Sequence, residues 1–191
     1  MIRAYDFDGT IYDGDSSVDF YLFCLKKNKK VLLQLPIQLC GVFLYAIRII
    51  DKTTFKEKVF SFLKRINNVD EYIKQFWDEN YSKIKPWYLQ QKKKTDVIIS
   101  ASPEFLLNPL VDKLKIDRVI ATKINKLTGK FESKNCHDYE KIRRYEEIYK
   151  NKKIKQFYSD SIKSDKAMLK YAEEAYLVKG DEIFKIDGKS I

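Results

Sequence analysis

Residues 2–10 read IRAYDFDGT, an apolar run that ends in two aspartates and a glycine. Side chains of a strand alternate in direction, so Asp6 and Asp8 are predicted to point the same way from the end of a strand. Two like charges this close repel each other unless a cation or a shared proton compensates them. Gly9 lets the backbone turn sharply and approach a ligand. The stretch therefore predicts a strand that carries two carboxylates into a charged site, with an ordinary acidic turn as the alternative.

The composition indicates a folded chain with one core, or a core with one inserted lobe. Of 191 residues, 45% are hydrophobic and 14% are aromatic, which is ample for a packed interior. The net charge of +10 would suit anionic substrates, nucleic acid or acidic membranes. The lysines are scattered, however, and no nucleic-acid-binding motif accompanies them, so we do not expect nucleic acid as a partner.

The cysteines and the first residues favour a cytoplasmic location. Cys24, Cys40 and Cys136 are odd in number and widely spaced. They form neither a metal-binding pattern nor a disulfide framework, which fits a reducing compartment. Asp6 and Asp8 interrupt the first apolar run, so no signal peptide is expected.

Hydrophobic periodicity divides the chain into a helical segment and a segment of alternating strands and helices. Apolar residues recur at helical spacing from 16 to about 85, with Thr53 or Thr54 as a predicted cap and Pro86 as the predicted end of the block. The remainder predicts strands at 96–100, 118–123 and 154–158, and a last core strand at 176–178. It also predicts helices at 103–114, 139–150 and 165–174, and a hairpin or extended excursion around 127–129. Alternation of this kind favours a doubly wound parallel sheet. We predict an α/β, Rossmann-like core from residues 1–15 and 86–191, with an all-helical cap at 16–85 inserted after the first strand.

Residues 31–50 form an apolar stretch whose only charged residue is Arg48. Twenty residues are long enough to span a bilayer, but Pro36 would break or kink a helix. A single span would also separate Asp6 from residues 86–191. We predict helices packed within the cap, with peripheral membrane contact through 31–50 as the alternative, favoured by the lysines at 26–30.

Four motifs in this order resemble those of the haloacid dehalogenase-like (HAD) phosphohydrolases. They are Asp6-Phe7-Asp8-Gly9-Thr10, Ser100 after Val97-Ile98-Ile99, Lys141 within residues 135–144, and Tyr158-Ser159-Asp160-Ser161 with Asp165 beyond it. The helical segment between the first two motifs resembles the phosphoserine phosphatase-like branch. The resemblance covers most of the chain, and it implies a magnesium-dependent phosphatase.

The resemblance also implies a role for each motif residue. Asp6 would attack phosphorus to form an aspartyl-phosphate, and Asp8 would protonate the leaving group and then activate water. The residues that would hold phosphate are Gly9 through its amide, Ser100 and Ala101 near the start of the 103–114 helix, and Lys141. The residues that would hold Mg²⁺ are Asp6, Asp8 through its main-chain carbonyl, Asp160, and Asp165 as ligand or support.

Some positions depart from the family pattern or are expected to be structural. Asp138 stands where glycine is frequent in the family, and Asp165 lies five residues after Asp160 where four is common, so Ser161 and Ser164 are alternatives to Asp165. His137, the single histidine, is expected to be structural or superficial. The aromatic residues expected to pack the cap are Trp77, Trp87 and Tyr88.

The residues do not identify the substrate or the oligomeric state. A small phosphorylated metabolite such as phosphoserine is expected, and the apolar stretch at 31–50 makes a lipid-linked phosphate such as phosphatidylglycerophosphate the rival. Phosphoryl transfer to an acceptor other than water is a further enzymatic alternative. A basic nucleic-acid-binding module is the non-enzymatic one, disfavoured because a phosphate-binding surface gains nothing from clustered Asp6, Asp8 and Asp160 without a metal.

Overall fold

A six-stranded sheet forms the centre of the computed structural model, which describes residues 2–150, 152–187 and 190–191. The strands are β1 (Ile2–Tyr5), β2 (Asp96–Pro103), β3 (Arg118–Thr122), β4 (Ile154–Ser159), β5 (Glu174–Lys179) and β6 (Glu182–Ile186). Their spatial order is β3-β2-β1-β4-β5-β6; β1 to β5 are parallel, and β6 is antiparallel to β5. The connection order reverses at β1, which is where sheets of this kind bind ligands, beyond the carboxyl ends of the strands.

The helices fall into two groups along the chain. Those between β1 and β2 are α1 (Ser16–Lys27), α2 (Leu35–Ala46), α3 (Lys52–Phe60), α4 (Val69–Asn80) and α5 (Pro86–Gln91). Those that alternate with the later strands are α6 (Glu104–Leu107), α7 (Pro109–Leu114), α8 (Tyr139–Tyr149) and α9 (Ile162–Tyr171). The predicted fold class, a parallel α/β sheet with a helical insertion, is therefore confirmed, whereas the exact domain limits at 15/16 and 85/86 stay a prediction. Within the described ranges no helix has the length and apolarity to cross a membrane.

The core lies in two layers, one on each face of the sheet. Alternation along the strands sends Tyr5 and Ile98 to the face covered by the helical insertion, and Ala4 and Val97 to the opposite face. Trp77 is fully buried on the insertion side, and its indole N–H donates to the Leu106 carbonyl at 2.7 Å. This contact joins α4 to α6. Trp87 and Tyr88 belong to the same layer but pack on Tyr5 of β1, so the prediction that they pack within the cap is wrong for these two residues.

Proline explains two differences from the predicted helices. Pro86 does not end the helical block; it occupies the first turn of α5, where its missing N–H is not needed. The helix predicted at 103–114 is split, because Pro109 cannot continue α6 and begins α7 instead. Pro103 itself is extended and belongs to β2.

The other differences arise from capping and from a tight turn. Asp51, not Thr53 or Thr54, caps α3, since its side chain accepts from the Thr54 amide at 2.7 Å. α9 begins at Ile162 rather than 165 because Ser161 caps it. After β5, the predicted last core strand, Gly180 adopts a φ of +61° and turns the chain into the exposed edge strand β6, which was not predicted. The predicted hairpin around 127–129 is present, with Ile124 paired to Phe131.

Candidate active site

The carboxyl end of β1 places Asp6 at the middle of the sheet edge. Its main-chain N–H donates to the Tyr158 carbonyl of β4 at 2.9 Å. Its carboxylate Oδ1 accepts from the Lys141 Nζ at 2.7 Å, although the two residues are 135 positions apart. Burial raises the pKa of Asp6, and the Lys141 charge opposes that rise. Asp6 is thus a partly buried carboxyl group with one fixed cation beside it.

Lys141 lies in the first turn of α8, between two carboxylates. Its Nζ donates to Asp6 at 2.7 Å and to Asp165 at 2.6 Å, and only 3% of its side chain is exposed. Burial by itself would lower the pKa of Lys141, but attraction by Asp6 and Asp165 outweighs it and raises that pKa. Lys141 is therefore held as a cation at the sheet edge.

Asp165 uses both carboxylate oxygens within the protein. Oδ1 accepts from Lys141 at 2.6 Å, and Oδ2 accepts from the Ser159 hydroxyl at 2.7 Å. The backbone leaves helical geometry at Asp165, inside α9. These contacts are those of a residue that positions Lys141; the predicted role of Asp165 as a direct metal ligand stays a prediction.

Asp8 faces neutral donors instead of a cation. Its Oδ1 accepts from the Ser16 amide at 2.6 Å, and its Oδ2 accepts from the Ser102 hydroxyl at 2.5 Å. Burial raises the pKa of Asp8, while the hydrogen bonds from Ser102 and Ser16 lower it. Ser102 is a site residue that the sequence did not indicate, because its contact with Asp8 spans 94 positions. The two aspartates, adjacent in the motif, therefore have different surroundings, as different chemical roles require.

Gly9 allows the loop after β1 to approach the end of β4. It has a φ of +72°, and a Cβ on it would lie 2.4 Å from the Asp160 Oδ2, so a side chain cannot be accommodated there. Its amide donates to the Gly14 carbonyl at 3.0 Å. This hydrogen bond directs the Gly9 amide into its own loop, and the predicted phosphate contact of Gly9 stays a prediction. Its carbonyl accepts from the Lys85 Nζ at 2.5 Å, a contact that positions the loop and that the sequence did not indicate.

Ser100 and Ala101 lie near the carboxyl end of β2, beside the aspartates. Ser100 is buried, and its Oγ accepts from the Ser102 amide at 3.0 Å. The Ala101 carbonyl accepts from the Thr122 hydroxyl at 3.0 Å. The predicted long helix after Pro103 is absent, since α6 has only four residues. The break at Pro109 shortens the run of aligned peptide dipoles behind Ser100 and Ala101. Their predicted role in holding phosphate stays a prediction.

An open cavity of about 340 Å³ joins these residues. Its wall contains seven of the predicted site residues, namely Asp6, Asp8, Ser100, Ala101, Lys141, Asp160 and Asp165, together with the predicted alternatives Ser161 and Ser164. Gly9 lies behind Asp160 and outside this wall. Lys52 and His137 complete the wall. The sequence did not indicate Lys52, and His137 was expected to be structural or superficial; burial and the charges of Lys52 and Lys141 lower the pKa of this histidine.

A second cavity of about 360 Å³, here called the apolar cleft, meets the first at Asp8 and Ala101. Its apolar lining comes from α1, α3 and the turn after α3, through Val18, Tyr21, Phe55, Val59, Phe60 and Phe62. Lys56 also lines it, and the Lys56 Nζ donates to the Ala101 carbonyl at 3.4 Å and to the Asn135 Oδ1 at 3.2 Å. Burial lowers the pKa of Lys56 to about 8.

The backbone conformation of Asp138 is one that favours glycine. It caps α8 with a φ of +52° and a ψ of −124°, a conformation that is strained for any residue with a Cβ. Two residues before, Cys136 is fully buried in the layer beneath the sheet. The strained turn therefore connects the core to Lys141 at the start of α8.

The donors in the cavity wall suit Mg²⁺, which prefers oxygen ligands. Asp6, Asp8 and Asp160 share the wall, and Gly9 has no Cβ that would push Asp160 away from the β1 loop. Over the described parts of the chain, no three His, Cys, Asp or Glu side chains are close enough together to hold a metal. A Mg²⁺ site here would therefore combine fewer carboxylates with a main-chain oxygen and water, as this ion commonly does.

Comparison with known proteins places the chain among hydrolases. A family model described as haloacid dehalogenase-like hydrolase matches residues 4–170. No curated protein matches.

Solved structures share the fold at low identity. A protein of unknown function from Bordetella pertussis Tohama I is 15% identical with a TM-score of 0.73, over 91% of this chain and 88% of that one. A HAD family hydrolase from Salmonella enterica subsp. enterica serovar Typhi is 16% identical with a TM-score of 0.61, over 90% and 60%. A phosphoserine phosphohydrolase-like protein from Francisella tularensis subsp. tularensis SCHU S4 is 16% identical with a TM-score of 0.54, over 92% and 86%. These likenesses confirm the fold that the resemblance implied.

Proposed function

Since the chain belongs to the haloacid dehalogenase-like hydrolases, we propose that it is a Mg²⁺-dependent phosphomonoesterase with Asp6 as its nucleophile. One observation carries the proposal. Asp6 lies against the buried cation of Lys141, whereas Asp8, on the same cavity wall, accepts hydrogen bonds from neutral groups. Lys141 favours the ionised form that a nucleophile needs, whereas burial raises the pKa of Asp8 and so favours the protonated form that a proton donor needs.

The proposed reaction has two steps, each with a defined proton transfer. In the first, an Asp6 oxygen attacks phosphorus, the bond from phosphorus to the alcohol oxygen breaks, and Asp8 gives its proton to that oxygen. In the second, Asp8 takes a proton from water as the water oxygen attacks phosphorus, which releases inorganic phosphate and regenerates Asp6. Division into two steps replaces one difficult displacement by two easier ones.

The cavity supplies groups that hold the phosphoryl oxygens. Lys141 offers a point charge beside Asp6. The Ser100 hydroxyl accepts from the Ser102 amide, which leaves its own O–H available to donate to phosphate. The Ala101 amide lies next along the chain. Asp165 keeps Lys141 in place in this arrangement, because it binds Lys141 and Ser159 at once.

Asp6, Asp160 and the main-chain carbonyl of Asp8 would hold Mg²⁺, with Asp165 in support. The ion would supply positive charge that offsets both the carboxylates and the incoming phosphate dianion. The support for this assignment is the oxygen-only donor set and the close approach of the Gly9 loop to Asp160.

Substitution Asp6→Asn tests the nucleophile. We expect p-nitrophenyl phosphate hydrolysis in the presence of Mg²⁺ to fall about a thousandfold or more, since the amide cannot attack phosphorus. Circular dichroism should show an unchanged fold. Asp112→Asn, an exposed aspartate on α7 outside both cavities, is the matched control and should keep full activity. Appreciable hydrolysis by Asp6→Asn would show that Asp6 is not the nucleophile.

The apolar cleft favours an ester of an apolar alcohol over phosphoserine as the substrate. Six apolar side chains line the cleft, and it meets the reaction cavity at Asp8, the proposed proton donor to the leaving alcohol. An apolar leaving group gains from burial against these side chains, which outnumber the charged groups of Asp15 and Lys56 in the lining. A lipid-linked phosphate belongs to the favoured class.

Competition between two substrates tests this preference. We expect kcat/KM for n-octyl phosphate to exceed that for phosphoserine, and Phe55→Ala, which shortens one wall of the cleft, to reduce the ratio. Phe184→Ala, on the exposed strand β6, serves as the control. A higher kcat/KM for phosphoserine would contradict the preference without affecting the assignment of Asp6.

A further inference from the structure

An ordinary surface helix buries its apolar side chains and exposes its polar ones, and helix α2 does the opposite. Its buried residues are Gln38 and Gly41. The Gln38 Oε1 accepts from the Tyr21 hydroxyl, and its Nε2 donates to the Val59 carbonyl, both at 2.9 Å. A Cβ at Gly41 would lie 2.9 Å from that of Lys58, so the helix packs closely on α3 at this point. Polar and small residues therefore attach α2 to the protein.

The apolar residues of the same segment face outward. Of the 18 large hydrophobic side chains that are exposed among the described residues, ten fall within residues 32–49. We call these ten the outer face: Leu32, Leu33, Leu35, Ile37, Leu39, Val42, Phe43, Tyr45, Ile47 and Ile49. Exposure reaches 63% for Phe43 and 66% for Ile49. So dense a set of exposed apolar side chains marks an interaction surface.

The charged residues within the segment that carries the outer face all have one sign. Residues 20–50 contain five basic residues, Lys26, Lys27, Lys29, Lys30 and Arg48, and no aspartate or glutamate, so all 27 acidic residues of the chain lie elsewhere. Lys27 pairs with Glu79 of α4 at 2.9 Å. The other four basic side chains have no carboxylate partner in the part of the chain that the structure describes. The surface therefore combines apolar groups with uncompensated cations.

We propose that the outer face docks on an anionic lipid bilayer, with α2 lying in the plane of the interface. Apolar side chains would enter the boundary of the hydrocarbon region, and the lysines would meet anionic headgroups. Twelve residues give α2 a length of about 18 Å. That is too short for a hydrocarbon core of about 30 Å, so the helix lies on the membrane and does not cross it.

Charge favours a bilayer over a second copy of the chain as the occupant. Association of two outer faces would bring together two sets of four basic side chains that lack a carboxylate partner in the described parts of the chain. Such like-charge contact is unfavourable, whereas an anionic bilayer complements both the charge and the apolar side chains.

The outer face also adjoins the apolar cleft. The ring of Tyr45, an outer-face residue, stacks on Phe55 of the cleft lining with 4.8 Å between ring centroids. Tyr21, another lining residue, contacts Gln38 on the inner side of α2. Docking would thus hold the cleft next to the bilayer surface. The inference about docking itself does not require the proposed hydrolysis, so the two can fail separately.

Vesicle co-sedimentation of the full chain tests the proposal. The probes are vesicles of phosphatidylcholine alone and of phosphatidylcholine mixed with phosphatidylglycerol. We expect binding to the anionic vesicles that weakens as salt is raised. The double variant Leu39→Glu with Phe43→Glu should lose about tenfold or more of the binding, because it places two charges in the apolar face. The matched control is Leu127→Glu with Phe184→Glu, two exposed apolar residues outside the face, which should bind as the parent does.

A second pair of variants tests the role of charge. Lys29→Glu with Lys30→Glu should reduce binding to anionic vesicles about tenfold or more, whereas Lys93→Glu with Lys94→Glu, an equal charge change at exposed lysines elsewhere, should reduce it much less. Circular dichroism verifies the fold of each variant independently of any activity. The proposal would be overturned if the parent did not bind anionic vesicles, or if the outer-face and control variants lost vesicle binding equally. It would also be overturned if vesicle binding were absent and analytical ultracentrifugation showed self-association that the outer-face variants abolish.

Discussion

The edge of the sheet and the outer face of α2 both depart from the rule that charges lie outside and apolar groups inside. At the sheet edge, the buried cation of Lys141 pairs with the buried carboxylate of Asp165 and with the partly buried carboxylate of Asp6. On α2, Phe43 and its neighbours are exposed apolar groups, while Gln38 is turned inward. The buried charges have partners of opposite sign within the chain, whereas the exposed apolar groups are not covered by it.

This difference separates two kinds of functional surface. Buried charges must be paired wherever they occur, because an unpaired one destabilises the fold, so the proposed catalytic cavity is also a structural element. Exposed apolar groups cost the fold little, so the outer face can change without loss of stability. Substitutions should therefore affect stability strongly in one region and weakly in the other.

The largest effect is expected at Lys141. Lys141→Met leaves two carboxylates without their cation, and we expect a loss of about 3–5 kcal/mol in the free energy of unfolding, measured in urea. Lys166→Met, at an exposed lysine of α9, should change it by less than about 0.5 kcal/mol.

A double variant guards against the case in which Lys141→Met does not fold. Adding Asp165→Asn removes one of the carboxylates left without a partner, so the double variant should be more stable than Lys141→Met alone. If Lys141→Met instead matched the parent in stability, substitutions at the sheet edge would not affect stability more strongly than those on the outer face.

An intermediate effect is expected on the inner side of α2. Gln38→Leu leaves the Tyr21 hydroxyl and the Val59 carbonyl without their partner, and we expect a loss of about 1–3 kcal/mol in the free energy of unfolding. Gln75→Leu on α4, whose side chain donates to Glu71 one turn away, is the matched control with a change below about 0.5 kcal/mol. A Gln38→Leu variant that is more stable than the parent would show that polar contacts do not hold α2.

Lys56 predicts a pH-dependent effect of smaller size. Burial lowers its pKa from 10.5 to about 8, an effect that Lys52 increases and that Asp15 and Asp8 oppose. The unfolded chain therefore binds more protons than the folded one between these values, and stability gains from this group as pH rises through that window. Below pH 8 the buried charge of Lys56 destabilises the folded chain to its full extent.

Removal of the Lys56 amine should reveal this dependence. We expect Lys56→Met to gain stability relative to the parent, and the gain in the free energy of unfolding to be larger at pH 7 than at pH 10 by about 1 kcal/mol. Lys64→Met, at an exposed lysine of the turn after α3, controls for the loss of one positive charge. A difference that grows as pH rises would contradict the sign.

The smallest effect is expected on the outer face. Phe43 is 63% exposed, so Phe43→Ala should change the free energy of unfolding by less than about 0.5 kcal/mol. Phe62→Ala, which removes a fully buried ring, should cost about 3–5 kcal/mol by the same measurement. A large loss in Phe43→Ala would mean that the outer face packs against the chain itself.

Local patterns predicted most of the elements that position the cavity. The aspartate motif after β1, the apolar run of β2 and the helical spacing of α8 each have a signature within a few residues, and all three are present. Helix limits were less accurate, because Pro109 and the Asp51 cap change where a helix can begin without changing its apolar spacing. The strand β6 depends on pairing with β5, which periodicity does not indicate.

The residues around the motifs could not be predicted in the same way. Ser102, Lys52 and Lys85 reach the site from separate elements, and none belongs to a recognisable pattern. Lysine is also so frequent in this chain that a single one carries little information. Only the packing of helices on the sheet selects which of them face the cavity.

The sequence by itself determined the order of the motifs, the α/β fold class and the position of the helical insertion, because these depend on local backbone preferences and on apolar periodicity. The tertiary structure decided which partner each motif residue has: Lys141 for Asp6, Ser102 for Asp8, and Ser159 for the far oxygen of Asp165. It also decided that the apolar stretch of α2 turns outward, since two hydrogen bonds of Gln38 orient the helix. Such contacts join residues that are distant in sequence, and only the folded chain brings them together.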